Sequence, residues 1–270
     1  MLLGGFDGLH IGHRLLLSRA KNESLPIGVM TIVGGKEESL FTFQEREKIF
    51  KDAGVDFVFE LPFDEIKHLS PEEFSRKLTD EFYPKLFICG EDFKFGAGAS
   101  GNAETIKRAT HVRVEIMPLL EKDGEKISSR QIKTLLKQGK IEKANEALSH
   151  AFFMTGVVKK DRQIGRTISF PTANIFYPKG KFPLKIGVYE TRVTLENKTY
   201  KGITNYGARP TFNDETVVTE TYLDGFDGDL YGKELTIEFV DYLRDIQKFD
   251  SVDALKEQLT EDIRRVREND

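Results

Sequence analysis

The chain has 270 residues, 39% of them hydrophobic, enough to fill the cores of two ordinary domains. Its 44 acidic and 40 basic residues give a formal charge of −4 and are spread along the chain, which excludes the basic tail or stripe of a nucleic-acid binder. The single cysteine, Cys89, excludes an internal disulfide, and no apolar run reaches the roughly 18 residues of a membrane span, so a soluble protein of the reducing cytoplasm is expected.

Up to about residue 150, short apolar runs alternate with helical patterns. Residues 2–3, 27–33, 55–61, 86–89 and 112–117 read as strands, and residues 15–20, 44–52, 71–82 and 102–109 as crossover helices. A right-handed series of this kind predicts an α/β domain over residues 1–150, with a Rossmann-like parallel sheet covered on both faces. Ligands should gather beyond the carboxyl ends of its strands, where helix N-termini point. A helical segment from Ser129 to about His150 closes this half.

From 151 to 270 the period changes to two. Residues 189–195 and 200–204 read as strands joined by a tight hairpin at Glu196-Asn197-Lys198, and Gly and Pro punctuate the rest. A small antiparallel β-barrel or sandwich is predicted, followed by a terminal helix. Asp250 serves as the expected N-cap, and Val252, Leu255, Leu259, Ile263 and Val266 form one apolar stripe. There is no internal repeat or low-complexity segment.

The most informative stretch is Gly4-Gly5-Phe6-Asp7-Gly8-Leu9-His10-Ile11-Gly12-His13, at the turn from the first strand into the first helix. Glycines let the backbone approach a phosphate chain. Two histidines three apart face the same way, and the helix start adds N–H donors to their expected positive edges. Such a site suits in-line nucleotidyl transfer, where alignment and charge stabilisation supply most of the catalysis. Gly90-Glu91-Asp92-Phe93-Lys94-Phe95-Gly96 follows the fourth strand, which sets Asp92 on the same rim to orient ligand or metal. Ile127-Ser128-Ser129-Arg130-Gln131-Ile132-Lys133 opens the closing helix; Ser128 and Gln131 read as a capping box, and the serines and cations equally as an anion cradle.

These segments resemble the nucleotidylyltransferase superfamily, and Phe6-Asp7-Gly8 within the first is similar to bacterial FAD synthetases in particular. The resemblance implies ATP phosphates held by His10 and His13, with Gly5, Phe6, Asp7 and Gly12 shaping the site. It also implies ligand contacts at Gly90, Asp92 and Ser128, and catalytic roles for Ser129, Arg130 and Lys133. The family motif continues after its serines with Thr or Ser and then Ile-Arg; here Arg130 and Lys133 stand there, so charge is kept but a planar fork is lost at Lys133. The family's proline-rich Phe-Glu-Pro-His-Pro loop is replaced by Ile32-Val33-Gly34-Gly35-Lys36, which implies a more flexible rim.

In the second half, Gly165-Arg166-Thr167-Ile168-Ser169-Phe170-Pro171-Thr172-Ala173-Asn174 is the counterpart. Thr172 and Asn174 are expected to alternate in direction after the fixed Pro171, and their oxygens are hard ligands that a magnesium ion between two phosphates would accept. This stretch resembles the riboflavin kinase signature. Gly187-Val188-Tyr189, Gly202 to Phe212 with Arg209-Pro210-Thr211, Glu220, Asp229-Leu230-Tyr231-Gly232, Arg244 and Phe249 follow in the family's order. The resemblance implies that Gly165, Arg166, Ser169, Arg209 and Arg244 bind substrate and that Glu220 takes a proton from the ribityl 5′-hydroxyl. Ser169 stands where the family prefers glycine, Lys159 where histidine is common, and Gly225 where aspartate usually precedes Phe226.

The expected protein is thus similar to the bacterial bifunctional riboflavin kinase/FMN adenylyltransferase (FAD synthetase) family. Its implied substrates and products are riboflavin, FMN and FAD, with ATP as co-substrate and Mg2+ as metal. No nucleic acid or membrane partner is expected, and the chain should be a monomer or a weak homo-oligomer. Three other readings stand beside it: an enzyme retaining one of the two activities, a flavin-binding regulatory protein, and a nucleotidyltransferase with a non-flavin substrate.

Overall fold

Side-chain caps set where the helices of the first half begin. In the computed structural model, which describes residues 1–35, 38–122, 124–160, 172–208 and 217–268, Thr42 and Ser70 each accept a hydrogen bond from the backbone N–H three residues on. Glu45 and Glu73 reciprocate, completing two capping boxes. Two compact units result, Met1–Gln131 and Ile132–Asp270.

The first unit runs β1 (Leu2–Leu3), α1 (Ile11–Lys21), β2 (Gly28–Val33), α2 (Phe43–Asp52), β3 (Phe57–Pro62), α3 (Phe63–Ile66), α4 (Pro71–Phe82), β4 (Leu86–Gly90), β5 (Lys94–Phe95), β6 (Gly101–Asn102), α5 (Ala103–Ala109), β7 (Arg113–Met117), β8 (Glu121–Lys122) and β9 (Glu125–Lys126). Strands β3-β2-β1-β4-β7 form one parallel sheet, the Rossmann-like arrangement that the strand–helix alternation predicts. The strand order reverses between β1 and β4, so the loops after these two strands meet at a topological switch point, where α/β sheets bind ligands. Those loops carry the Gly4–His13 and Gly90–Gly96 segments. Leu3, Phe74, Leu78, Phe87 and Cys89 build the core under them. Cys89 is fully buried, and burial pushes its thiol up to about 11.

The closing helical segment is two helices, α6 (Ser129–Lys137) and α7 (Ile141–Leu148). Gly139 adopts φ +74°, and the N–H groups of Gly139 and Lys140 donate to the carbonyls of Leu136 and Leu135. This left-handed termination ends α6 and needs glycine, which is why the expected single helix is divided.

The second unit continues with β10 (Phe152–Val157), β11 (Thr172–Phe176), β12 (Gly187–Leu195), β13 (Lys198–Ala208), β14 (Val217–Leu223), β15 (Glu234–Arg244) and α8 (Val252–Glu268). The six strands form one antiparallel sheet in the order β10-β15-β12-β13-β14-β11. Beyond β10, the N–H of Lys159 donates to the Asn174 carbonyl at 2.8 Å, bridging the two outermost strands and curling the sheet toward closure. The hairpin falls where expected: Leu195 pairs with Lys198 around Glu196-Asn197, with Glu196 at φ +55°. On the interior, Thr191, Thr204 and Thr221 link hydroxyls at 3.0 and 2.9 Å, satisfying polar groups that would otherwise be stranded.

Ser251, not the expected Asp250, caps α8, accepting from the Ala254 N–H at 3.1 Å. Ile263 and Val266 of the apolar stripe pack on Val188 and Ile203, while Val252 at its start stays exposed.

Candidate functional site

In the first unit the site is built on the N-terminus of α1. His10 is its N-cap and accepts from the His13 N–H through Nδ1 at 3.3 Å. The two imidazoles stack, with centroids 3.6 Å apart and planes at 17°. Phe6, fully buried, lies under His13 at 4.3 Å, so its ring supports the histidine from behind. His13 Nδ1 sits 2.7 Å from the Gly8 carbonyl. A carbonyl only accepts, so this nitrogen carries the proton.

Burial pushes His10 down to about 2, assisted by His13 and Lys126 and opposed by Asp92 and Asp7. The expected positive edge is corrected here: His10 is a neutral ring, with Nδ1 committed as acceptor and its proton on Nε2. It offers an anion a hydrogen bond without a net charge. Gly12 makes room for this ring, since a Cβ there would lie 3.1 Å from His10 Cε1. Asp7, also buried, accepts from the Leu40 N–H at 2.9 Å and so ties the glycine-rich turn to the approach of α2.

Beside that turn, a cavity of ≈ 120 Å³ is lined by Gly5, Asp7, Gly34, Gly35, Arg46 and Phe63, among others. Arg46 enters it from α2, donating to Thr31 Oγ1 at 2.8 Å. The short Gly34-Gly35 segment, standing where the family has its proline-rich loop, forms part of the wall.

After β4, Asp92 pairs with Lys126, and a Cβ at Gly90 would lie 2.9 Å from Asp92 Oδ1, so glycine permits this carboxylate to fold back over the strand end. Phe93 and Phe95 of the same loop are buried and stacked at 5.4 Å. The loop therefore serves packing through its aromatics and places a carboxylate close enough to act electrostatically on His10. Ser128 accepts from the Gln131 N–H at 3.3 Å, but the Gln131 side chain turns to Glu125 at 2.8 Å. The capping box is thus half made. Ser129 opens α6 and Arg130 is exposed on its first turn. Lys133 belongs to the second unit, its ammonium 5.2 Å from the centroid of the Phe182 ring.

In the second unit, residues far apart in sequence fall on one cross-strand row. Asn174 on β11 stands opposite Glu220 on β14, Glu220 opposite Asn205 on β13, Asn205 opposite Val188 on β12, and Val188 opposite Arg244 on β15. Directly opposed residues share a face of a sheet, so Asn174, Glu220 and Asn205 present their side chains together. Thr172 lies two residues before Asn174 on the same strand and shares its direction, because the strand period is two; the expected alternation in direction is corrected. The Oδ1 atoms of Asn174 and Asn205 are buried without a hydrogen-bond partner among the described residues. An orphaned hard oxygen at Asn174 beside Thr172 fits a magnesium ligand pair. Among the described residues, no three His, Cys, Asp or Glu side chains gather as a metal site.

Arg244 ends the row with its guanidinium on Asp262 of α8 at 2.7 Å. Gly165, Arg166, Ser169 and Arg209 lie outside the described residues. Sequence reading missed Lys126, Arg46 and Asn205. The first two carry no motif of their own, and Asn205 lay within the Gly202–Phe212 segment without being singled out.

Each half of the chain also matches a family of known proteins. The family model described as FAD synthetase matches residues 1–131, and that described as riboflavin kinase matches residues 148–269. A bifunctional riboflavin kinase/FMN adenylyltransferase from Mycoplasma pneumoniae is 32% identical over 266 residues, covering 98% of this chain and 95% of the relative. One of the same description from Escherichia coli is 31% identical, covering 99% and 91%. The solved structure of a macrolide-efflux protein from Streptococcus pneumoniae is 30% identical with a TM-score of 0.90, covering 100% of this chain and 93% of that one. Among the described residues of this chain, no helix is long and apolar enough to cross a membrane. With matches that run through both halves and nearly from end to end, the chain belongs to the bifunctional riboflavin kinase/FMN adenylyltransferase family.

Proposed function

We infer that this chain makes FAD from riboflavin in two steps: ATP-dependent phosphorylation to FMN, then adenylylation of FMN with release of pyrophosphate. The observation that carries the reading is the presence in one chain of two separate phosphate-handling arrangements, the His10–His13 stack at a helix start and the Asn174–Glu220 pair on a curled sheet. Adenylyl transfer is assigned to residues 1–150 and phosphorylation to residues 151–270.

In the first step Glu220, on a rigid strand, removes the proton of the ribityl 5′-hydroxyl as that oxygen attacks the γ-phosphorus and ADP leaves. It must come within about 2.6–3.2 Å of the hydroxyl to do so. Thr172 and Asn174 would hold magnesium, which when bound neutralises polyphosphate charge. Gly165, Arg166, Ser169, Arg209 and Arg244 complete the binding set on the strength of the family pattern.

In the second step an FMN phosphate oxygen attacks the α-phosphorus of ATP. His10 donates from Nε2 and His13 lies stacked on it, so two imidazoles are aligned before the substrate arrives. Gly5 admits the phosphate chain, Gly12 and Gly90 leave room for the His10 ring and the Asp92 carboxylate that border it, and Asp7 and Phe6 hold the turn. Asp92, with Lys126, sets the local field. Ser128, Ser129 and Arg130 form the anion cradle at the start of α6, and Lys133 follows one turn along the same helix. The protein works in the cytoplasm on small molecules, without nucleic acid, as a monomer or weak homo-oligomer.

The test is to incubate purified protein with riboflavin, ATP and magnesium, and separately with FMN, and to resolve the flavins by chromatography. FMN and FAD are expected from the first mixture and FAD from the second. Product in only one mixture would assign a single activity, and product in neither would overturn the reading.

A further inference from the structure

The row Asn174–Glu220–Asn205 sets an amide on either side of the carboxylate, each one strand spacing away, about 4.8 Å. Both amide oxygens are buried without a partner among the described residues. A buried carbonyl left unpaired is costly, and two in one row flanking the same carboxylate mark a place waiting for a ligand. Asn174 lies beside Thr172 and is accounted for by a cation. Asn205 is not: it stands on the far side of Glu220, and its other cross-strand neighbour is Val188, which has no polar side-chain atom to offer. No described residue pairs with Asn205 Oδ1, so this acceptor suits a donor brought by a ligand.

We propose that Asn205 is a specificity-determining residue that accepts a hydrogen bond from a secondary hydroxyl of the ribityl chain. The inference rests on the kinase reading above. With the terminal hydroxyl at Glu220, one or two further carbons of the ribityl chain cover the spacing from β14 to β13. The 4′- or 3′-hydroxyl then falls at Asn205, on the side away from the transferred phosphoryl group. Glu220 and Asn205 together read two points of a polyol, so a flavin lacking the second hydroxyl leaves a buried acceptor unpaired and is discriminated against.

The experiment compares riboflavin with 4′-deoxyriboflavin and 3′-deoxyriboflavin in the native protein and in Asn205→Leu, with Asn205→Ala as a second variant in case the larger side chain disturbs the strand. A urea midpoint of the second unit close to the native one verifies that each variant is folded. The native protein is expected to prefer riboflavin over one deoxy analogue by about tenfold or more in kcat/KM. Both variants should lose that preference, treating the two flavins alike. The proposal is overturned if the variants keep the native preference, so that protein and substrate changes multiply, or if the native protein has none. It is also overturned if a variant slows all flavins equally while moving the acidic limb of the pH–rate profile, which would make Asn205 a positioning residue for Glu220. If the native protein makes no FMN, the kinase reading fails separately. The same comparison is then read from quenching of flavin fluorescence, where no preference for riboflavin rejects this inference too.

Discussion

Arg244 on β15 holds Asp262 on α8 through the side of its guanidinium: Nε lies 3.1 Å from both carboxylate oxygens and Nη2 2.7 Å from Oδ2. Gln258 adds a third donor at 2.9 Å, and the two charged side chains are only 15% and 6% exposed. A fork–fork pair so withdrawn from water fixes the terminal helix against the sheet. Removing one partner leaves the other buried and unpaired. Asp262→Asn is therefore expected to destabilise the second unit by about 3 kcal/mol, seen as a lower urea midpoint, while FAD still forms from supplied FMN. An unchanged midpoint would make the pair ornamental to folding.

Glu220→Gln keeps the shape of the side chain and its place on β14 but cannot take a proton. FMN formation should fall by roughly 10²–10⁴-fold, with adenylylation of supplied FMN intact. Equal loss of both steps would refute the division between the halves.

For the first unit, His13→Ala should do the reverse, lowering FAD formation by roughly 10²–10³-fold and sparing FMN formation. The two kinetic assays, run side by side on each variant, decide the matter.

Gly12→Ala separates stability from activity. The backbone at Gly12 is ordinary helix, where alanine is favoured by about 1 kcal/mol. Its Cβ would nevertheless press on the His10 ring at 3.1 Å. The expected outcome is unchanged or slightly raised thermal stability together with at least about a tenfold loss of adenylyl transfer.

The pH dependence follows from His10. Burial holds it at about 2 in the folded chain, whereas an exposed histidine titrates near about 6.5. Below that pH the unfolded chain takes up a proton that the folded chain refuses, so stability is intact above it and is lost progressively as pH falls. The slope is at most about 1.4 kcal/mol per pH unit from this residue. His10→Asn retains an N-cap acceptor and removes the titration, so its urea midpoint should fall less between about pH 7 and pH 5. Parallel falls in the two proteins would mean that His10 is protonated while folded.

What could be read from the chain before its fold depends on how far apart the cooperating residues lie. The β1–α1 turn was legible because its glycines and histidines are contiguous, although His10 meets His13 as the extended N-cap of α1 and not as a residue of its first turn. The break at Gly139 was missed because the apolar pattern continues through it, and only its left-handed backbone ends the helix. Ser251 and Asp250 are both good capping types, so local chemistry could not choose between neighbours. Glu220 was singled out through a family pattern, whereas Asn205, inside the Gly202–Phe212 part of that pattern, was not: nothing local in residues 198–208 says which residue of another strand will stand across from it. Register is a long-range property, settled when β13 and β14 pair.

Cys89 gives the chain a built-in clock. As the lone thiol in 270 residues, sealed in the core beneath the first unit's sheet and held protonated, it can meet a thiol-reactive dye only when that unit opens. The rate of dye uptake times the opening of one half without registering the other, and a bound nucleotide would slow it.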